Sequence, residues 1–91
     1  MAVSNNNRSE ERMIGMNTYM VKLNTQQDVV NFVNMMGRAD CNADIRCGSI
    51  VVDACSILGV ISLGLNKILE LVTYGDPGSD FEQKISQYSA A

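Results

Sequence analysis

Apolar and polar residues alternate along NTYMVKL, residues 17–23, with Tyr19, Val21 and Leu23 on one side and Thr18, Met20 and Lys22 on the other. That period of two predicts a half-buried strand. Asn24 and Thr25 end the alternation and offer helix caps. Thr25 followed three residues later by Asp28 approximates a capping box, with Asp shorter than the preferred Glu. Behind it Val29, Phe32, Val33 and Met36 share a helical face, and Gly37 marks the end of this first helix. In ADIRC the alternation returns, with Ala43, Ile45 and Cys47 inward and Asp44 and Arg46 outward. Gly48-Ser49 suits a two-residue turn with Gly first, and IVVDA then places Ile50, Val52 and Ala54 on one face, which completes a hairpin. Ser56 stands where an N-cap belongs, ahead of ILGVISL. Gly59 and Gly64 interrupt that run, and each interior Gly costs roughly 1 kcal/mol of helix propensity. The expectation is a short helix ending near Ser62 or Leu63. KILELVTY reads as a strand with Leu69, Leu71 and Thr73 inward and Glu70 outward. GDPGSD reads as a loop ending in a cap at Ser79 or Asp80, and Phe81, Ile85 and Tyr88 give a last short helix.

The order strand, helix, strand, strand, helix, strand, helix predicts an α+β fold. Helices separate the strands and should cover one face of a small antiparallel sheet, an open-faced sandwich. Residues 1–15 are polar, Asn-rich and aperiodic, the pattern of a disordered leader or extension. Met16 offers itself as an alternative start, so the folded domain is expected over residues 16–91.

Composition then removes whole classes of function. An apolar share of 46% is enough for one core, and with aromatics at 5% and no Trp that core must be aliphatic. The net charge of −3 and the scatter of seven Lys and Arg argue against a nucleic-acid partner. The longest apolar run, residues 53–65, is broken by Asp53 and by Asn66-Lys67, well short of a bilayer span, so no membrane is expected. No secretory pattern opens the chain, and a cytoplasmic location is expected. Cys41, Cys47 and Cys55 form an odd set without CxxC spacing, which reads as reduced thiols packed as small buried hydrophobes. There is no histidine, no nucleophile–base pair and no Gly-rich phosphate loop. No enzyme activity, cofactor or metal site is expected.

SILGVISLG, Ser56 to Gly64, resembles the regulatory-serine segment of HPr, the phosphocarrier family of the bacterial phosphoenolpyruvate:sugar phosphotransferase system. In Gram-positive members the segment typically reads SIMGVMSLG. The element order is also the HPr order, βαββαβα, with a four-stranded antiparallel sheet and three helices on one face. The resemblance runs from about Thr18 to Tyr88. HPr carries its phosphoryl group on a histidine in a GxHARP motif at the start of the first helix. The matching stretch here is NTQQDVVNF, which puts Gln26 or Gln27 at the histidine position. A glutamine amide cannot accept and release a phosphoryl group, and Asp28 adds negative charge where phosphate would sit. The catabolite-repression variant of HPr likewise has Gln for His and keeps the serine. The resemblance therefore implies a regulatory protein switched by phosphorylation at Ser56. Its implied partners are an HPr kinase and a transcriptional regulator or metabolic enzyme, met through Ile57, Leu58 and Ile61. Departures from the pattern are plain: the motif's Arg is missing, Cys55 replaces the usual Lys before the serine, and the hairpin is about two residues shorter. The alternative is a degenerate HPr-fold interaction domain that is never phosphorylated. A homodimer remains open, since IVVDA forms an exposed strand edge.

Overall fold

The computed structural model describes residues 16–90; the expected leader at residues 1–15 lies outside the described residues. The described chain runs β1 (Met16–Lys22), α1 (Gln26–Gly37), β2 (Asn42–Cys47), β3 (Ile50–Asp53), α2 (Ile57–Ser62), β4 (Ile68–Tyr74) and α3 (Phe81–Ile85), and a 3-10 turn over Ser86–Tyr88 extends α3. The sheet order is β1-β4-β2-β3, with every neighbouring pair antiparallel. This is the expected open-faced sandwich. The chain has no described helix long and apolar enough to cross a membrane.

The first helix and the hairpin begin where their local chemistry says they should, whereas the last helix starts after Asp80 without a side-chain cap bond. The Thr25 hydroxyl accepts the Asp28 N–H at 3.0 Å. The Asp28 carboxylate accepts the N–H groups of Thr25 at 3.3 Å and Asn24 at 3.1 Å, so the capping box closes despite the shorter acid. The four apolar residues assigned to the inner face of α1, Val29, Phe32, Val33 and Met36, are its buried residues. Gly37 is the last helical residue, but the chain leaves through Arg38 at φ −99°, without a left-handed glycine cap. In the β2–β3 hairpin Cys47 pairs with Ile50 around Gly48-Ser49, and Gly48 takes φ +62° as the Gly-first turn requires.

The core lies between the sheet and the helices. Val21, Ile45, Leu69 and Leu71 from the strands meet Phe32, Val60, Phe81 and Ile85 from the helices. Two edge-to-face ring contacts stitch the C-terminal segment to the rest, Phe32 with Tyr88 at 5.5 Å and Tyr19 with Phe81 at 5.4 Å.

Two expectations need correction. Ile50 lies on the helix-facing side with Val52 and Ala54, yet it is 56% exposed. The reason is reach: α2 packs on Val52, against which a side chain at Gly59 would come within 3.2 Å, and the hairpin tip extends past it. The cysteines are not buried either. Cys41 and Cys47 are half-buried and Cys55 is exposed. Partial desolvation, then the Asp53 carboxylate, still raise the Cys55 thiol above its ordinary value, although the residue as a whole meets solvent. Burial is also the main cause that raises Cys41. Neither thiol has the electropositive surroundings that make a cysteine reactive.

Candidate functional site

Ser56 holds φ −104° and ψ 110°, the extended backbone of a cap residue, and its Oγ accepts the Gly59 N–H at 3.1 Å. The turn before it is set by Asp53, whose carboxylate accepts the Cys55 N–H at 2.8 Å and whose carbonyl accepts the Ser56 N–H at 3.1 Å. The chain is thereby delivered from β3 into α2 with the serine half-buried at the junction. Gly59 belongs to the same construction. A Cβ there would stand 3.2 Å from both Ser56 Oγ and Val52 Cβ, tighter than ordinary contact, so glycine lets the helix start this close to its cap and to β3 without displacing either. Val60 and Leu63 turn inward and are buried, which rotates the preceding residues outward.

Of the three residues expected to dock a partner, Leu58 is 82% exposed and Ile57 38% exposed, while Ile61 is half-buried against the core. Ser56, Ile57 and Leu58 thus share one corner, and Ile61 serves mainly to seat the helix. No cation accompanies them in sequence: the residue before the serine is Cys55, and Asp53 lies three residues back. The nearest charge in the chain is therefore negative.

Gln26 and Gln27 open α1, on a different element from Ser56, and both are exposed. Gln27 Nε2 donates to Asn31 Oδ1 at 3.0 Å, an ordinary helix-surface bond. At this helix start the Asp28 carboxylate accepts the Asn24 and Thr25 N–H groups, which fixes a negative charge beside Gln26 and Gln27. Among the described residues no group of three His, Cys, Asp or Glu stands together as metal ligands would.

The outer stripe of α1 carries no signal in the sequence, because its residues are polar and the periodicity marks only the apolar face. Asn31, Asn34 and Arg38 recur there at i, i+3 and i+7, and the structure brings Lys84 and Gln87 opposite them across a depression of about 450 Å³.

The arrangement defines a class by architecture: an α+β open-faced sandwich of βαββαβα order with a serine capping its second helix. Comparison with known proteins finds a solved structure of similar fold. The chain is similar to the crystal structure of a phosphocarrier protein HPr from Bacillus anthracis str. Ames, with a TM-score of 0.60 and 24% sequence identity over 82% of this chain and 94% of that one. The fold is the HPr fold. No family model and no curated protein matches the chain.

Proposed function

We propose that this chain is an HPr-like regulatory protein without the phosphoryl-accepting histidine, switched by phosphorylation of Ser56. The observation that carries the reading is the corner at the start of α2. There a half-buried serine oxygen on the cap position adjoins Leu58, 82% exposed, within a segment resembling the HPr regulatory serine. Phosphate on a cap serine replaces a neutral acceptor with a charged one, which strengthens the bond to the helix N–H it faces and changes the charge of the adjoining surface. The partners are proteins: an HPr kinase, and a transcriptional regulator or metabolic enzyme of carbon-catabolite or phosphotransferase control, in a bacterial cytoplasm. The protein works by binding and catalyses nothing. Self-association belongs to the same proposal through β3. That strand is the open edge of the sheet, whereas β1 is partly covered where Ala90 donates its N–H to Met20 and Val21 bridges to Ser89.

A second reading rests on its own observation. Asp53 precedes Ser56 by one turn and Cys55 stands where HPr has a Lys, so a phosphate here would have a carboxylate close in sequence and no cation next to it. On that reading the domain is an interaction module that never carries phosphate. The docking surface separates the two. With ATP and an HPr kinase, Leu58→Asp should lower the initial rate of Ser56 modification about tenfold relative to wild type, the effect of losing one well-placed apolar contact. Equal rates would remove Leu58 from the docking surface, and no modification of either protein would leave the interaction module standing.

A further inference from the structure

A groove between α1 and the C-terminal helix lies remote in sequence from the Ser56 corner. Two helical stripes face each other across it. Asn31, Asn34 and Arg38 come from the outer side of α1, and Lys84 and Gln87 from the last turns of the chain, around an open space of about 450 Å³. Its floor is apolar: Tyr88 is buried and held edge-on by Phe32 at 5.5 Å, and Met35 lies beside it.

The polar groups on its walls have capacity to spare. Asn31 accepts from Gln27 through Oδ1, which leaves its amide N–H groups to donate. Gln87 donates Nε2 to the Lys84 carbonyl, which leaves Oε1 to accept. Among the described residues neither Arg38 nor Lys84 has a carboxylate within salt-bridge distance, and the single ion pair is Arg46 with Glu70. No acid lines this space, although the chain carries ten acids against seven bases. Opposing features sit at its ends. Asp40 and Asp80 line the adjoining depression that also borders Arg38 and Lys84, and Asp28 lies near enough to Tyr88 to raise its hydroxyl, after burial.

We infer that this groove binds a small phosphomonoester with a hydroxylated carbon skeleton, its phosphate between Arg38 and Lys84 and its hydroxyls among Asn31, Asn34 and Gln87. A forked guanidinium and a mobile ammonium, both lining one open space without an acid, suit a dianion. Amides offering both donors and acceptors match hydroxyl groups, which need both. The volume lies in the usual range for a small-molecule site.

The test is titration of the 15N-labelled full chain with ribose 5-phosphate, with ribose alone and inorganic phosphate as parallel arms. Shifts confined to residues 31–38 and 84–88, saturating with a dissociation constant on the order of 1 mM, support the site. Lys84→Gln and Arg38→Gln, both at exposed positions, should each weaken binding about tenfold, the loss of one charge-assisted contact, with the spectrum elsewhere unchanged. A response to inorganic phosphate equal to that for ribose 5-phosphate would overturn the hydroxyl assignment. Absence of shifts, or shifts spread equally to Lys22 and Lys67, would overturn the site. The readout is independent of Ser56, so its failure leaves the serine switch untouched.

Discussion

The Ser56 oxygen closes the first turn of α2, so its removal should be felt in stability before any question of signalling arises. Ser56→Ala should cost about 1 kcal/mol, the usual worth of a serine cap, seen as a lower urea midpoint at unchanged slope. Ser56→Asp should recover most of that loss, because an aspartate also caps. If the alanine variant is as stable as wild type, the Gly59 bond contributes nothing and the half-buried serine is held for another reason. A second consequence comes from four groups whose protons are held more tightly in the folded state. Burial is the leading cause in each of Cys41, Cys55, Tyr19 and Tyr88. A raised native pKa means that the unfolded chain loses its proton first as pH rises. The stability held by these groups is therefore complete below the ordinary thiol value of 9.0 and declines above it, with the tyrosines adding their share above 10.0. Urea midpoints measured from pH 7 upward should be flat to about pH 8 and then fall. A rising midpoint over that range would mean that the sign is wrong.

At the scale of the element, α2 is six residues long and contains a glycine that propensity alone would condemn. On an open helix surface Gly→Ala gains about 1 kcal/mol. Here the new methyl group would meet Val52 Cβ and Ser56 Oγ, each at 3.2 Å, and Val52 is fixed in the sheet. Gly59→Ala should therefore bring no gain, with a urea midpoint at or below wild type, and a clear increase would show that α2 can lift from β3 freely. This element also marks what could be read from the sequence. Its start at Ser56 and its end before Gly64 followed from capping chemistry and glycine, and the inner face of α1 followed from the spacing of four apolar residues. The proposed docking corner was half legible. Apolar residues beside Ser56 were evident, but the split between exposed Leu58 and half-buried Ile61 depends on how α2 rolls against Val52, a tertiary contact. Ile50 went astray for a related reason, since alternation assigns a face and says nothing about how far a helix extends to cover it. Burial of Val72 on the opposite face was equally out of reach. It lies between Thr18 and Asp44 in register, where Tyr74 reaches across to Asp44 with its hydroxyl at 3.1 Å.

For the whole molecule, the fold places two separate polar features on a negatively charged domain: the serine corner at α2 and the amide-lined groove between α1 and α3. Neither depends on a histidine, and at the start of α1 the chain's own Asp28 accepts the Asn24 and Thr25 N–H groups. Ser56 is the proposed point of control. Its most direct measurement is the intact mass of the purified protein after incubation with ATP and an HPr kinase, beside Ser56→Ala under the same conditions. One phosphate on the wild type and none on the variant is the predicted result. An unmodified wild type, in a reaction that phosphorylates an ordinary serine-bearing HPr, would contradict it and leave the fold serving binding alone.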